Sequence, residues 1–348
     1  MRTIKKDNEE IQERYKNYIL GRPHVVILGA GATMAAIPNG DKFGRTCSVM
    51  DGFIDNLGLR DLLNRVQINT ESLNLEDIYS ELYTRHECKE VISELENRIV
   101  TQFSEFVIPD EPTIYDYLLL SLRGRDCIFS FNWDDLIIQA YQRVWKITQD
   151  LPKLVFLHGN INVGRCEACG RIETLHNIIC GQCGNSLSRP KILFPVKEKN
   201  YGDDPYIKNS WDGFLSVLSE ASIVTIFGYS APKSDILAIQ AMQKAFSSTF
   251  RRWDQIEVID LKSESELLDT WADFATPTNY HFNVYRSFFE SLLSEFPRRS
   301  VEGYWKRNFT GWWGASKVQF KPNMNFEDLS LTLMPLINDE SQSKYDVL

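Results

Sequence analysis

His24-Val25-Val26-Ile27-Leu28-Gly29-Ala30-Gly31-Ala32-Thr33 is the stretch that decides the fold. An uninterrupted β-branched run closed by a glycine turn is the pattern of a strand buried on both faces that hands the chain to a helix. Four further runs repeat the theme: Asp126–Phe131, Lys153–Leu157, Ser222–Phe227 and Gln255–Ile259. Pro190-Lys191-Ile192-Leu193-Phe194 reads as strand-like too. Strands alternating with helices predict an α/β protein with a Rossmann-like, mostly parallel sheet flanked by helices. Ligands of such sheets bind outside the carboxyl ends of the strands. Thr33, Asn132, Asp134, His158, Ser230 and Asp260 all fall at those ends, so the topology brings them to one edge.

The segments around the strands divide the chain. Residues 1–21 read as an N-terminal helix. Residues 22–262 read as the main α/β domain, with an ordered loop over 37–52 and a helical insertion over 53–125. In that insertion Ile78, Leu82, Val91, Ile92, Leu95 and Ile99 recur at a spacing of about 3.6. A helix is expected to begin at Asp134 or Asp135, because aspartate favours a helix N-terminus. Residues 263–348, with Trp305, Trp312 and Trp313, read as a C-terminal extension of helices and loops.

Residues 160–190 carry the strongest chemical signal. Cys166-Glu-Ala-Cys169 and Cys180-Gly-Gln-Cys183 each place two thiols two residues apart, and Gly170 and Gly184 follow to allow a tight turn. Two such knuckles complete a tetrahedron around zinc. Four thiolates fill the shell, so the predicted Zn2+ is structural and the chemistry lies elsewhere. His176 lies between the pairs but is not needed as a ligand.

Composition narrows the setting. The net charge is 38 − 47 = −9, which argues against broad nucleic-acid binding. Cys47, Cys88 and Cys127 are left over, an odd number that suits a reducing cytoplasm. Met1 to Lys16 is too polar for a signal peptide. No apolar run reaches the roughly 18 residues that span a bilayer. The expectation is a cytoplasmic protein with no membrane partner.

Each motif has a functional and a plainer reading. Gly29-Ala30-Gly31-Ala32-Thr33-Met34 resembles a dinucleotide turn with Met34 replacing the third glycine. It can admit a pyrophosphate, or it can be a turn and no more. No acidic residue ends a second strand about 20 residues on, which disfavours nicotinamide-dependent hydride transfer. Asn132 can hold a water or a ribose hydroxyl, and Asp134 can accept from a carboxamide. Their plainer roles are a turn and a helix cap. His158 is a candidate general base, or a structural histidine. His24, His86 and His281 have no suggestive context.

Taken in order, Gly29-Ala-Gly-Ala-Thr33, Phe131-Asn-Trp-Asp134, Leu157-His-Gly159, the two cysteine pairs with their exit at Pro190, and Gly228-Tyr-Ser230 resemble the sirtuin family. The resemblance covers roughly residues 22–262. Two departures separate the chain from the deacylases. Ile37-Pro38 is kept, but Asn39-Gly40-Asp41-Lys42-Phe43-Gly44 replaces the loop that covers nicotinamide. Phe194-Pro195-Val196-Lys197-Glu198 replaces the phenylalanine-glycine-glutamate beside the acyl-lysine channel. With the long insertion and Asn74-Leu75-Glu76-Asp77, these features look most like the sirtuin-like NAD hydrolases of bacterial anti-phage defence.

That resemblance implies NAD as substrate, cleaved to nicotinamide and ADP-ribose, with Asn132 and His158 catalytic. It implies a pyrophosphate at Gly29, Ala30, Gly31 and Thr33, and a carboxamide at Asp134. Gly228, Ser230 and Asp260 would then serve the adenosine ribose, and Cys166, Cys169, Cys180 and Cys183 the zinc. An NAD-dependent protein-lysine deacylase, or a regulatory subunit that binds NAD or ADP-ribose without turnover, are the alternatives. Control would come from a homo-oligomer or from a separate sensor protein, an ATPase being one candidate.

Overall fold

The computed structural model describes residues 21–47, 52–175, 178–189, 192–194, 201, 204–231, 235–247, 254–272, 282–309 and 314–342. The expected N-terminal helix, His176, His281, Trp312, Trp313 and the stretch 195–198 lie outside them.

Six parallel strands form one sheet: β1 His24–Leu28, β2 Cys127–Ser130, β3 Lys153–Phe156, β7 Ile223–Phe227, β8 Gln255–Ile259 and β9 Phe282–Tyr285. Their spatial order is β3-β2-β1-β7-β8-β9. The register pairs Val25 with Cys127 and with Val224, and Ile226 with Val258. A second, three-stranded antiparallel sheet lies between β3 and β7 in the chain. It comprises β4 Val163–Cys166, β5 Ile172–Thr174 and β6 Leu187–Ser188, in the order β5-β4-β6. β1, β2, β7 and β8 are buried along their whole length, as their near-continuous apolar runs require. Helices pack beside the six-stranded sheet, so the α/β reading with a flanked parallel sheet holds.

Two details differ from expectation. The segment after residue 262 is not helix and loop alone, since it supplies the sixth strand. Phe282-Asn283-Val284-Tyr285 is short and only half-buried, an edge strand with little β-branched signal. Ile192–Phe194 are irregular rather than strand. Leu193 N–H donates a single bond to the His158 carbonyl just past the end of β3, which starts no ladder.

The C-terminal segment is built into the interior. Phe288, Leu293, Phe320, Leu329 and Leu333 belong to the same apolar core as β1 and β7. Beneath the sheet, the buried His24 ring bonds Ser300 Oγ (2.8 Å) and Thr225 Oγ1 (2.8 Å). Thr225 in turn donates to Glu257 Oε2, and Gln255 Nε2 and Leu292 N–H donate to Glu257 Oε1. Burial, with the nearby Arg125 charge, pushes His24 down to about 3. Burial pushes the Glu257 carboxyl up to about 7. Arg298 and Arg299 are also buried, and both pair with Glu340 on the helix Phe326–Ser341.

The insertion over 53–125 is helical as its periodicity predicts. Lys89–Ser104 buries Ile92, Leu95, Ile99 and Phe103 along one stripe. Leu75–Tyr83 begins at Asn74, whose side chain accepts from Glu76 N–H (2.8 Å). Asp41 ties down the loop before it, accepting from the backbone N–H groups of Phe43, Arg45 and Val107.

Candidate functional site

The carboxyl ends of the six strands are stitched together by single backbone bonds. Asp260 N–H donates to Tyr285, Gly228 to Ile259, Gly29 to Phe227, Phe131 to Leu28 and Leu157 to Ser130, each at 2.8–3.1 Å. Each bond fixes where one strand yields to its loop, so the residues just beyond share an edge. The two turns in the middle interlock. Gly31 N–H donates to Gly228 O (2.9 Å). A Cβ on Gly29 would lie 2.5 Å from Gly228 O, and one on Gly228, whose φ is +60°, would lie 2.3 Å from Ala32 N. These glycines therefore admit a neighbouring backbone, a demand on them independent of any phosphate.

Above this edge lies one cavity of about 710 Å³. Gly29, Ala30, Gly31, Thr33, Asn132, Asp134, His158, Gly228, Ser230 and Asp260 all line it. The structure thus brings together every non-metal residue expected at the site. Asn74, Glu76 and Phe103 of the helical insertion line it as well, together with Trp133.

Thr33 is the hub of its polar floor. Its hydroxyl donates to Asp134 Oδ2 (2.8 Å) and accepts from Asn132 Nδ2 (3.0 Å). With that proton committed, the Tyr115 hydroxyl is the donor in its 2.7 Å contact with Thr33. Asn132 Nδ2 also donates to Gly29 O (2.9 Å), an acceptor that fixes which way the amide points. Asn132 Oδ1 accepts no hydrogen bond among the described residues, so it is the group offered to a ligand. Asp134 Oδ1 also accepts from Leu136 N–H (3.1 Å), while the N-cap position of that helix is held by Asp135 rather than by Asp134. Full burial pushes the Asp134 carboxyl up to about 6, against the pull of the Thr33 bond.

His158 is held by rings. Phe131 meets it edge-on, with centroids 4.8 Å apart, and Tyr201 lies nearly parallel at 6.1 Å. Phe131 stacks on Tyr229 at 4.2 Å. The Tyr229 hydroxyl donates to Asp235 Oδ2 (2.9 Å), and Asp235 Oδ1 lies 3.8 Å from His158 Nε2. A buried carboxylate at that range stabilises the imidazolium that forms when the ring takes a proton. Asp235 and Tyr115 were not legible as site residues. Asp235 precedes the helix Ile236–Ser247 and reads as an ordinary cap, while Tyr115 falls in the apolar pattern of the insertion.

The cysteines converge as predicted. Sγ atoms of Cys166 and Cys183 lie 3.3 Å apart, and those of Cys169 lie 3.6 Å from Cys180 and from Cys183. All four fall within 4.8 Å of one another. Bonds of about 2.3 Å to a tetrahedral zinc would separate the sulfurs by about 3.8 Å, so the cluster is compatible with zinc. Gly170 and Gly184 adopt φ of +73° and +74°, and their N–H groups close back on Cys166 O and Cys180 O. This is the knuckle turn that the spacing required. Among the described residues, no helix is long and apolar enough to cross a membrane.

Neither a known family profile nor a curated protein matches the sequence. Solved structures do. A Sir2 bound to acetylated peptide aligns over 84% of this chain and 97% of its own, at 16% identity and a TM-score of 0.39. A Sir2–p53 peptide–NAD+ complex covers the same shares at 15% identity and 0.39. A Sir2 complex with the inhibitor EX-527, 2′-O-acetyl-ADP-ribose and deacetylated p53 peptide gives 84%, 98%, 16% and 0.38. At these scores the likeness is loose.

Proposed function

We propose that this chain cleaves the nicotinamide–ribose bond of NAD. The observation that carries the reading is the convergence of Asn132, His158, the Gly29–Thr33 turn and Asp260 on one cavity at the strand ends. NAD lies across that edge with its pyrophosphate at the Gly29–Thr33 turn. Its adenosine ribose lies toward Gly228, Ser230 and Asp260, and its nicotinamide toward Asp134 and Trp133.

The bond between the anomeric carbon and the pyridinium nitrogen breaks through an oxocarbenium-like centre, and nicotinamide departs with the electron pair. Asn132, locked through Nδ2 by Gly29 and Thr33, presents Oδ1 to the incoming water. The water oxygen bonds the anomeric carbon and gives up a proton. His158, with Asp235 behind it, accepts a ribose hydroxyl proton as charge develops, and that ribose oxygen is reprotonated by the proton the water gives up, so a single proton is released through His158. The products are ADP-ribose, nicotinamide and a proton. The cavity wall supplied by Asn74, Glu76 and Phe103 comes from the helical insertion, and the mechanism asks for no peptide channel there.

On this reading the enzyme is an effector of the anti-phage kind, restrained by self-assembly or by a separate sensor such as an ATPase. Purified protein incubated with NAD should release free nicotinamide without any acyl-lysine peptide. Release that depends strictly on such a peptide would instead make it a deacylase. Tight NAD binding with no product, unchanged in His158→Ala, would make it a binding subunit.

A further inference from the structure

Beyond Gly228, the cavity ends against β8 and β9. Ile259 and Tyr285 pair in the register, and Asp260 N–H donates to Tyr285 O (3.1 Å), so Asp260 and Arg286 leave adjacent strands side by side. Lys262 follows in the same turn, its N–H bonded to Asp260 Oδ1 (3.0 Å). All three residues line the cavity, and both cations are exposed to solvent. Of the residues that line this end of the cavity one is negative and two are positive, in a chain whose net charge is −9, and the Glu290 carboxylate stands outside the lining on the Arg286 backbone. Among the described residues the Arg286 guanidinium makes no ion pair, and only its backbone N–H is engaged, by Glu290 (2.9 Å).

A lone carboxylate at this place would accept from ribose hydroxyls and repel a phosphate, whereas a neighbouring arginine accommodates a 2′-phosphate. Here both are present and the cations outnumber the acid. A guanidinium can meet a phosphate through two parallel N–H bonds. We propose that Arg286, assisted by Lys262, receives a phosphate on the adenosine ribose, so that the cavity takes NADP as well as NAD. The inference rests on the orientation given under Proposed function, with adenosine at the Asp260 end.

The first test is calorimetric, at fixed ionic strength, with 2′,5′-ADP and 5′-AMP as probes. Wild type should bind 2′,5′-ADP about tenfold more tightly, the usual worth of one charge-assisted bond. Arg286→Ala should bring the two affinities together, and Arg286→Lys should restore part of the difference. Equal binding of both probes by wild type, or a preference that survives Arg286→Ala, overturns the proposal. A surviving preference would assign the cations to the pyrophosphate or to nothing. The second test is nicotinamide release: the ratio of kcat/KM for NADP to that for NAD should fall about tenfold in Arg286→Ala. The two readings fail separately. If neither dinucleotide is cleaved but 2′,5′-ADP is preferred through Arg286, the hydrolase reading falls and the phosphate site stands. If NAD is cleaved and the ratio does not move, the phosphate site falls.

Discussion

The cysteine ribbon and the carboxyl edge of the parallel sheet are joined through the short stretch after His158, yet they are held by opposite means. The ribbon's interior is Cys166, Cys180 and Leu187 with Leu175 packed against them. It leaves Ile172 and Ile179 more than half exposed. Burial on that scale contributes little, and a zinc ion held by the four thiols would supply what it lacks. The strand-end edge stands on a continuous apolar core running from β1 to the helix Phe326–Ser341. Its polar groups are fixed by one another, as Thr33, Asn132, Asp134 and Tyr115 are. The strand-end region is preorganised by its own hydrogen bonds, whereas the ribbon's four convergent thiols are compatible with a zinc ion as its organising centre.

Removing the ion should separate the two regions most widely. Structural zinc contributes roughly 10–16 kcal/mol to the folding of small metal modules. Chelation, or Cys166→Ser, should release metal and strip hydrogen-exchange protection from β4, β5 and β6 while β1, β7 and β8 keep theirs. Ribbon amides that remain protected without metal would put both regions on the same footing.

The next effect is chemical. Asn132→Ala and His158→Ala should each slow nicotinamide release by about 10²–10⁴-fold, the range for a positioned proton-transfer group. Thermal unfolding should show the Asn132 change costing only the roughly 1–3 kcal/mol of its lost buried bonds. A rate loss no larger than the stability loss would reduce both residues to scaffolding.

The smallest effect concerns stability against pH. Glu257 is raised to about 7 in the folded protein from an ordinary 4.5. Between those values the native state holds a proton that the unfolded chain has released, so this group's contribution falls as pH rises from 4.5 to 7. Relative to Glu257→Gln, wild type should lose on the order of 3 kcal/mol across that window, read by denaturant unfolding at a series of pH values. His24, lowered to about 3, acts with the opposite sign, gaining stability as pH rises toward 6.5. The comparison with Glu257→Gln is needed to isolate the glutamate from it. A flat difference between the two proteins would mean that the carboxyl stays ionised under the sheet.

Legibility followed burial. β1, β2, β7 and β8 are covered on both faces, so their sequences are nearly all apolar and announce themselves. β9 is a half-buried edge, and Phe-Asn-Val-Tyr carries no such mark. Asn132, His158 and Asp260 were readable because they end apolar runs. Glu76 and Tyr115 belong to helices and Asp235 stands just ahead of one, and all three reach the site through tertiary packing, which spacing along the chain does not encode. The glycines were read for what they admit from solvent, and the structure adds a second demand, the backbone of the adjoining turn.

Arg298 and Arg299 set a limit on how far the molecule can be trimmed. Both guanidiniums are shut away from water, and Glu340, close to the last described residue, balances them with help from Asp150 and Asp339. A fragment ending just short of Glu340 would leave two interior cations partly uncompensated, a penalty on the order of 3–5 kcal/mol. One ending at 262 would lose the outer strand and the hydroxyl of Ser300 that His24 binds. The strand-end edge and the helix Phe326–Ser341 thus behave as a single keystoned arch, and trimming from the carboxyl side should destabilise the edge before any strand-end residue is removed.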